Sequence, residues 1–263
     1  MKRKVRKKKS ILGIDAGSVS ISLVVIDSRL QVITDEYRFH YGEVRETLTE
    51  MIAQHVNLKE ISAIAATEST PSFFTATKRY NNEVATIAAA KHDYPQLSGL
   101  LHVGAEKFSL AAFDEYGHYL TSRTNTACAA GTGSFLDQQA GRLGLEHTEQ
   151  LSEMAETSTT QCPKIASRCA VFAKTDLIHA QQEGYQLNEI SEGLCRGLAK
   201  NIVDTLFTIT VRPGDIIFSG GVSRNNSVVR HIESLTGRQL QVAARGHLFG
   251  AYGAALCLTE ELE

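Results

Sequence analysis

The chain has 263 residues, 43% of them hydrophobic, and a formal net charge of −2. This length permits one large domain or two lobes of about 100–150 residues, and the apolar content suffices for a packed core. No apolar run approaches the ~20 residues of a bilayer span, so we expect no membrane partner. Five cysteines without a secretory signal indicate a cytoplasmic protein with reduced thiols.

The first ten residues are strongly basic, with seven lysines and arginines. They lack the apolar stretch of a secretory signal, so we expect residues 1–10 to form a solvated, disordered tail. Subtracting these seven charges from −2 leaves about −9 on residues 11–263. Because a body that acidic repels phosphate backbones, we expect no nucleic-acid partner.

One order of elements occurs twice along the chain: three strands, then helical sequence, then another strand. The first set comprises strands at 11–15, 20–27 and 31–40, a helix at 43–55, a strand at 61–67 and a helix at 83–92. The second set comprises strands at 100–104, 108–114 and 117–124, a long helical block, a strand at 215–219, a helix from about 223, a strand at 239–243 and a helix at 247–259.

This repeat predicts an α/β protein with two similar lobes that face a cleft. We assign residues 11–97 to the first lobe, to which the C-terminal helix 247–259 returns, and residues 98–246 to the second. A helix at 192–208 carries one apolar stripe and is predicted to act as a strut between the lobes.

A strand–turn–strand segment near the start has the features of a phosphate-binding loop. Gly17 lets the backbone approach a phosphate closely, the turn offers N–H and hydroxyl donors, and Asp15 is a candidate catalytic residue that can hold Mg²⁺ through water. Such a hairpin is common by itself, so the prediction of a phosphate-binding loop depends on a second, matching hairpin later in the chain. The residues predicted to contact the nucleotide here are Gly13, Asp15, Ala16, Gly17, Ser18 and Val19.

The matching hairpin of the second half contains His102, Gly104, Ala105, Glu106 and Lys107. Gly104 keeps the tight turn, and we predict that Gly104 and Ala105 contact the nucleotide. Glu106 is the second candidate catalytic residue, because a carboxylate there can orient the attacking water or act as a base. Lys107 either offsets phosphate charge or points to solvent, as lysines in hairpins usually do.

A glycine pair after a buried strand is the candidate site for the adenosine. Gly220 and Gly221 precede a helix, and backbone without side chains leaves space for a flat base. Asn225 is predicted to hydrogen-bond the base or the ribose. A Gly-Gly turn alone is more often an ordinary loop. The assignment of this pair to the adenosine site is supported by its position after the helical block.

The segment Gly131-Thr132-Gly133 precedes a predicted helix at 134–143. It has two possible roles, which are compatible: it caps that helix, or it reaches the phosphates of the nucleotide. Cys128 lies three residues before this segment, so nucleotide state and the thiol can share one rigid element.

Cys128 and Cys169 each precede a predicted helix and have no nearby cysteine. A helix N-terminus favours a thiolate or an anionic cluster. Two thiolates cannot complete a four-thiolate site, but a twofold axis would supply the other two. The pair raises the hypothesis of an iron–sulfur centre shared by two identical subunits, against the commoner role of buried, reduced thiols.

The strings Cys128-Ala-Ala-Gly-Thr-Gly-Ser-Phe-Leu and Cys169-Ala-Val-Phe-Ala resemble the activator component of the 2-hydroxyacyl-CoA dehydratases and the related benzoyl-CoA reductase ATPase subunits. The resemblance covers nearly the whole chain from Ile11 onward. It implies an actin/sugar-kinase/Hsp70-like fold, in which two ribonuclease-H-like lobes surround a nucleotide cleft.

The same resemblance implies a function. It implies ATP or ADP with Mg²⁺, and one [4Fe–4S] cluster per homodimer whose ligands are Cys128 and Cys169 of both subunits. A ferredoxin- or flavodoxin-type donor would supply the electron, and an iron–sulfur protein similar to a 2-hydroxyacyl-CoA dehydratase would accept it. Activators usually have Asp-x-Gly-Gly-Gln-Asp where this chain has the hairpin from His102 to Lys107, which bears on the hydrolysis rate more than on nucleotide binding.

Two other functions fit parts of the sequence. A small-molecule kinase of the same fold, such as an amino-sugar kinase, needs an aspartate base, and that position holds His102 or Glu106. A non-catalytic nucleotide-sensing module of a larger assembly would be consistent with the divergent second hairpin. Neither function requires two cysteines at helix starts.

Overall fold

The computed structural model describes residues 10–125, 132–145, 148–158, 161–166 and 170–262. The strands are β1 (Ser10–Ala16), β2 (Ser20–Ile26), β3 (Val32–Phe39), β4 (Ile61–Thr67), β5 (Lys78–Tyr80), β6 (Gly99–Val103), β7 (Phe108–Phe113), β8 (Tyr119–Thr124), β9 (Ile216–Ser219) and β10 (Leu240–Val242). The helices are α1 (Val44–His55), α2 (Asn82–Asp93), α3 (Gly133–Arg142), α4 (Thr148–Glu156), α5 (Ala170–Gln182), α6 (Leu187–Leu206), α7 (Asn226–Thr236) and α8 (Phe249–Leu262).

The chain forms two compact units, which we call unit 1 (Met1–Pro95 and His247–Glu263) and unit 2 (Gln96–Gly246). Each contains a five-stranded sheet, in the order β3-β2-β1-β4-β5 and β8-β7-β6-β9-β10. In both sheets the first three strands are antiparallel, and the last two run parallel to the central strand. The predicted repeat of three strands, helix and strand is therefore confirmed as two sheets of equal topology.

The core of unit 1 lies between its sheet and the helices that pack on it. Strands β1 and β2 are buried on both faces, so their sequences are nearly continuous apolar runs rather than alternating ones. Helix α8 packs on β1 and α2 through small residues, and a Cβ added at Gly253 would collide with the carbonyl of Ala85. The absence of large side chains therefore brings three backbone segments together.

The core of unit 2 contains the longest helix of the described residues, α6. Its apolar stripe, Leu194, Leu198, Ile202 and Leu206, is fully buried in the hydrophobic cluster of that unit. The apolar stripe from which the strut was predicted therefore stabilises the interior of unit 2. No helix within the described ranges is both long and apolar enough to cross a bilayer.

Several element boundaries differ from the predicted ones. The short strand β5 was not predicted, because two of its three residues are charged and it shows no apolar run. The helix predicted from about 223 is a 3-10 turn at Gly221–Arg224 followed by α7, and the C-terminal helix begins with a 3-10 turn at Gly246–Leu248. The long helical block divides into α3, α4, α5 and α6.

Candidate functional site

Asp15 lies at the end of β1, where three side chains of unit 1 donate hydrogen bonds to one of its carboxylate oxygens. Oδ1 accepts from Thr67 Oγ1 at 2.6 Å, Ser69 Oγ at 2.9 Å and Asn82 Nδ2 at 3.2 Å. The parallel pairing of β1 with β4 brings Thr67 there, since Ile14 and Ala66 are register partners one residue earlier. Sequence reasoning identified Asp15 and missed its three partners.

The other carboxylate oxygen, Oδ2, has no hydrogen-bond donor among the residues that the structure describes. It lies against Gly250 in the first turn of α8, and a Cβ at that position would collide with it. The N-terminus of a helix stabilises a nearby negative charge. Gly250 therefore leaves room for the carboxylate, and carboxylate oxygens are ligands that Mg²⁺ prefers.

The turn after Asp15 is held by a buried histidine. Gly17 N–H donates to the carbonyl of Ser20 at 2.9 Å, which closes the turn. His40 Nδ1 accepts from Gly42 N–H at 3.1 Å, so its Nε2 carries the proton and donates to the carbonyl of Gly17 at 3.2 Å. The backbone N–H of His40 also donates to the carbonyl of Val19. This histidine, which sequence reasoning missed, fixes the shape of the candidate phosphate turn.

The predicted nucleotide-contacting residues of unit 1 differ in exposure. Gly17 and Ser18 are exposed at the turn, whereas Gly13 and Ala16 are buried. A Cβ at Gly13 would collide with the carbonyl of Ala251 in α8, and Ala16 N–H donates to Thr70 Oγ1 at 3.1 Å. The structure thus gives Gly13 a packing role rather than a position open to a ligand.

The hairpin turn of unit 2 has the same backbone geometry with different side chains. Gly104 N–H donates to the carbonyl of Lys107 at 2.8 Å, as Gly17 does in unit 1. His102 Nδ1 lies 3.0 Å from Ser219 Oγ, and its Nε2 is directed towards the turn, 3.6 Å from where a Cβ of Gly104 would lie. Glu106 and Lys107 are exposed at the tip.

The start of α3 is bound to this turn. Gly133 N–H donates to the carbonyl of Gly104, and Ser134 N–H to that of Ala105, each at 2.9 Å. Thr132 is the buried N-cap residue, and its Oγ1 lies 3.1 Å from Ser134 Oγ. The Thr132 side chain makes no hydrogen bond that caps α3, so the predicted capping role is not observed and the predicted phosphate contact stays a prediction. The donors of Gly133 and Ser134 are already engaged by the hairpin.

The glycine pair follows β9 and reaches the same corner of unit 2. Gly220 has a φ of +89°, and a Cβ there would collide with the carbonyl of Val103 at the end of β6, so only glycine fits. Its N–H donates to the carbonyl of Gly246 at 3.0 Å. Gly221 is exposed, as a base-contacting residue must be. Three distant segments, those of Gly104, Gly133 and Gly220, thus meet at one sheet edge.

Asn225, the residue predicted to contact the base or the ribose, caps a helix in the structure. Its side chain is buried, with 6% of the residue exposed, and Oδ1 caps α7 by accepting from Val228 N–H at 2.9 Å. Its amide also lies 3.5 Å from the Cys195 sulfur, and burial raises the pKa of the Cys195 thiol to about 12. The structure thus shows a capping role for this side chain, and the contact with base or ribose stays a prediction.

The predicted metal ligands Cys128 and Cys169, together with Gly131, lie outside the described residues. No group of three or more His, Cys, Asp and Glu side chains within the described ranges is placed to hold a metal ion. Cys162 is half-buried near Arg196 of α6, with 3.7 Å between its sulfur and the guanidinium nitrogen. The described part of α5 begins at Ala170, directly after Cys169 in the sequence.

The two five-stranded sheets of equal topology fit the predicted fold class, two similar α/β lobes of the actin/sugar-kinase type. The sequence model of the BadF/BadG/BcrA/BcrD ATPase family matches residues 12–257. The chain belongs to this family, which confirms the predicted resemblance and fold class.

The chain is similar to several characterised members. It is 29% identical over 167 residues to the 2-hydroxyisocaproyl-CoA dehydratase activator of Clostridioides difficile, a match that covers 64% of this chain and only 62% of that relative. It is 26% identical to the activator of lactoyl-CoA dehydratase of Anaerotignum propionicum, over 93% of this chain and 95% of the relative. A solved structure of the Clostridium difficile activator with bound ADPNP has a TM-score of 0.85 at 24% identity, covering 96% and 95% of the two chains, and shows the fold.

Proposed function

We propose that the protein is an ATP-dependent activator that passes a low-potential electron to a partner iron–sulfur protein. The convergence of Gly104, Gly133 and Gly220 at one sheet edge carries the nucleotide part of this proposal. Names of relatives support the activator part, because two of them activate dehydratases of 2-hydroxyacyl-CoA substrates.

ATP with Mg²⁺ is the proposed nucleotide. In unit 1, Asp15 is proposed to hold the metal through Oδ2, and the exposed Gly17 and Ser18 to contact phosphate oxygens. In unit 2, the residues proposed to contact the nucleotide are Gly104, Ala105, Gly133 and the exposed Gly221. Glu106 is the proposed base or water-orienting residue, since it is the carboxylate at the tip of the second turn.

The electron-transfer part rests on Cys128 and Cys169. The proposal is that these residues of two identical subunits hold one [4Fe–4S] cluster, which when bound supplies one-electron chemistry at low potential. ATP binding would then favour one of two conformations of the dimer and so change access to the thiolate ligands. A ferredoxin- or flavodoxin-type protein is the proposed donor and a dehydratase-like iron–sulfur protein the proposed acceptor.

Anaerobic purification, with iron, sulfide and molecular mass measured on the same sample, tests the proposal. We expect about four irons per dimer, because each subunit would supply two of four thiolates. A colourless monomer that phosphorylates an amino sugar would favour the kinase. A colourless protein that binds ATP without turnover would favour the sensing module.

Cysteine variants then test the ligand assignment. Cys128→Ser and Cys169→Ser are each expected to abolish iron binding and weaken the dimer, because one substitution removes two ligands from the shared site. Cys162→Ser and Cys257→Ser are the matched controls and should keep the iron, as should the buried Cys195→Ser. A double Cys128/Cys169 variant with an unchanged cluster spectrum would refute the assignment.

A further inference from the structure

The carboxylate of Asp15 is held by a network that sequence reasoning did not identify. From its geometry we infer that Thr67, Ser69 and Asn82 are positioning residues, which occupy Oδ1 so that Oδ2 is the oxygen presented to the Mg²⁺–nucleotide. This inference rests on the proposed ATP binding and specifies how unit 1 contributes to it.

The hydrogens of the network can all be assigned. Thr67 has one hydroxyl hydrogen, and its short distance of 2.6 Å to Asp15 Oδ1 assigns that hydrogen to the carboxylate. Ser69 donates to the same oxygen and accepts from Asn82 Nδ2 at 2.8 Å. The second amide hydrogen of Asn82 points to Asp15 Oδ1, while its Oδ1 accepts from Ser69 N–H. Every donor therefore has an acceptor, and three of them converge on one atom.

The segment that carries these donors is fixed from the other side. Thr67 is 0% exposed and ends β4, and Arg79 of β5 donates to the carbonyls of Thr67, Thr70, Pro71 and Phe74. One guanidinium thus holds four carbonyls of residues 67–74. Because the guanidinium is a rigid planar donor, the hydroxyls keep their places relative to β1.

The two sides of the carboxylate have opposite surroundings as a result. A partial rotation about the Cβ–Cγ bond would give up the three hydrogen bonds of the oxygen that faces the network, whereas a half turn only exchanges two equivalent oxygens. Gly250 at the other side limits the space for Oδ2 without covering it with a side chain. A metal ligand held in one orientation binds with less loss of conformational freedom, so the network should raise metal-dependent affinity more than affinity for free nucleotide.

The test compares ATP affinity with and without Mg²⁺ by calorimetry, for the complete protein and for substitutions of Thr67. Thr67→Val removes the hydroxyl and keeps the shape, whereas Thr67→Ser keeps the hydroxyl. Thr47→Val makes the same change at a buried threonine of α1, which is not among the hydrogen-bond donors to Asp15. Asn82→Ala, at a partly exposed position, provides a second removal that does not disturb the core.

We expect Thr67→Val to weaken Mg²⁺–ATP binding about tenfold, the effect of one hydrogen bond to a charged group, with metal-free ATP affinity within about twofold of wild type. Thr67→Ser should restore the wild-type value, Thr47→Val should not change it, and Asn82→Ala should lower it in the same direction. Mn²⁺ binding followed by electron paramagnetic resonance with ATP present should show the same order.

If wild type binds Mg²⁺–ATP but Thr67→Val, Thr67→Ser and Asn82→Ala all show the same metal dependence as Thr47→Val, the positioning role is wrong and the proposed function stands. If wild type does not bind ATP at all, the proposed function fails and the inference with it. Equal losses of metal-free and metal-bound affinity would also reject the inference, because they would indicate a merely structural effect.

Discussion

The two hairpin turns occupy equivalent places in sheets of the same topology, and they differ in charge. In unit 1 the residue two positions before the turn glycine is Asp15, hydrogen-bonded to Thr67 of β4. In unit 2 the residue two positions before Gly104 is His102, hydrogen-bonded to Ser219 of β9. His102 and Ser219 are direct register partners, and Asp15 and Thr67 continue the register of β1 with β4.

The comparison separates what the fold requires from what the chemistry requires. Both units keep a polar side chain at the end of the central strand and a hydroxyl on the next parallel strand. Only unit 1 places a carboxylate there. The candidate metal ligand, the carboxylate of Asp15, therefore lies in unit 1. The second turn has the same backbone geometry and places the imidazole of His102 at the equivalent position.

The largest expected effect comes from filling the space beside Asp15. Gly250→Ala places a Cβ against Oδ2, so α8 or the carboxylate must shift, and we expect a loss of ~1–3 kcal/mol in the free energy of unfolding. We also expect Mg²⁺–ATP binding to be lost. Chemical denaturation and calorimetry measure the two effects.

Gly141→Ala in α3 is the matched control for that substitution. Apart from the adjoining helix backbone, no atom of the described residues lies within 4 Å of the added Cβ, so the change should be neutral or should stabilise the helix by up to ~1 kcal/mol. A Gly250→Ala protein as stable as the Gly141→Ala protein, with normal nucleotide affinity, would show that the packing against Asp15 is not restrictive.

Substituting Asp15 and His102 in turn tests whether the two hairpin turns differ in their contribution to Mg²⁺–ATP binding. Asp15→Asn should weaken Mg²⁺–ATP binding about 10–100-fold, because a charged metal ligand becomes a neutral amide. His102→Asn removes no negative charge and should change affinity less than about threefold. Titration at matched Mg²⁺ measures both. Equal effects in the two variants would mean that the two turns hold the metal alike.

A smaller effect is expected at Glu106, at the tip of the second turn. Its carboxylate is exposed, so solvent screens its charge, and Glu106→Gln should change ATP affinity less than about tenfold. We expect slow basal hydrolysis in wild type and lower hydrolysis in the variant if Glu106 acts as the base. Tighter ATP binding with an unchanged or faster rate would instead identify electrostatic repulsion of the phosphate. No change in either quantity would remove Glu106 from the site.

Local signals in the sequence predicted the strands and both turns. Glycine marks the turns around Gly17 and Gly104, and apolar runs mark β1 and β9, so the repeat was visible without any tertiary information. The class of the fold followed from that repeat together with the resemblance to a known family.

The surroundings of Asp15 were not predictable in the same way. Thr67 and Asn82 lie 52 and 67 positions away from it, and Gly250 belongs to a helix at the opposite end of the chain. Only the pairing of β1 with β4 and the packing of α8 bring them together. For Asn225 a local signal existed, since an asparagine before a helix is a common N-cap, and the nucleotide interpretation was preferred to it.

The smallest expected effect is on the pH dependence of the free energy of unfolding, and it involves His231 of unit 2. His231 Nε2 donates a hydrogen bond to the Glu192 carboxylate across 2.9 Å, between α7 and α6. Burial lowers the pKa of His231 below its ordinary value of 6.5, because the loss of solvation and the charges of Arg230 and Arg196 outweigh the attraction of Glu192.

In the unfolded chain His231 regains its ordinary pKa, so between the two values the unfolded state binds more protons. The free energy of unfolding should therefore fall as the pH is lowered from about 6.5 towards the folded-state pKa, with no further loss from this group below it. His231→Gln removes the titrating group and keeps an N–H donor for Glu192, so it should flatten that slope in urea denaturation followed by circular dichroism. The exposed His118→Gln is the matched control, and an identical slope in the two variants would show that acid acts on unit 2 through other groups.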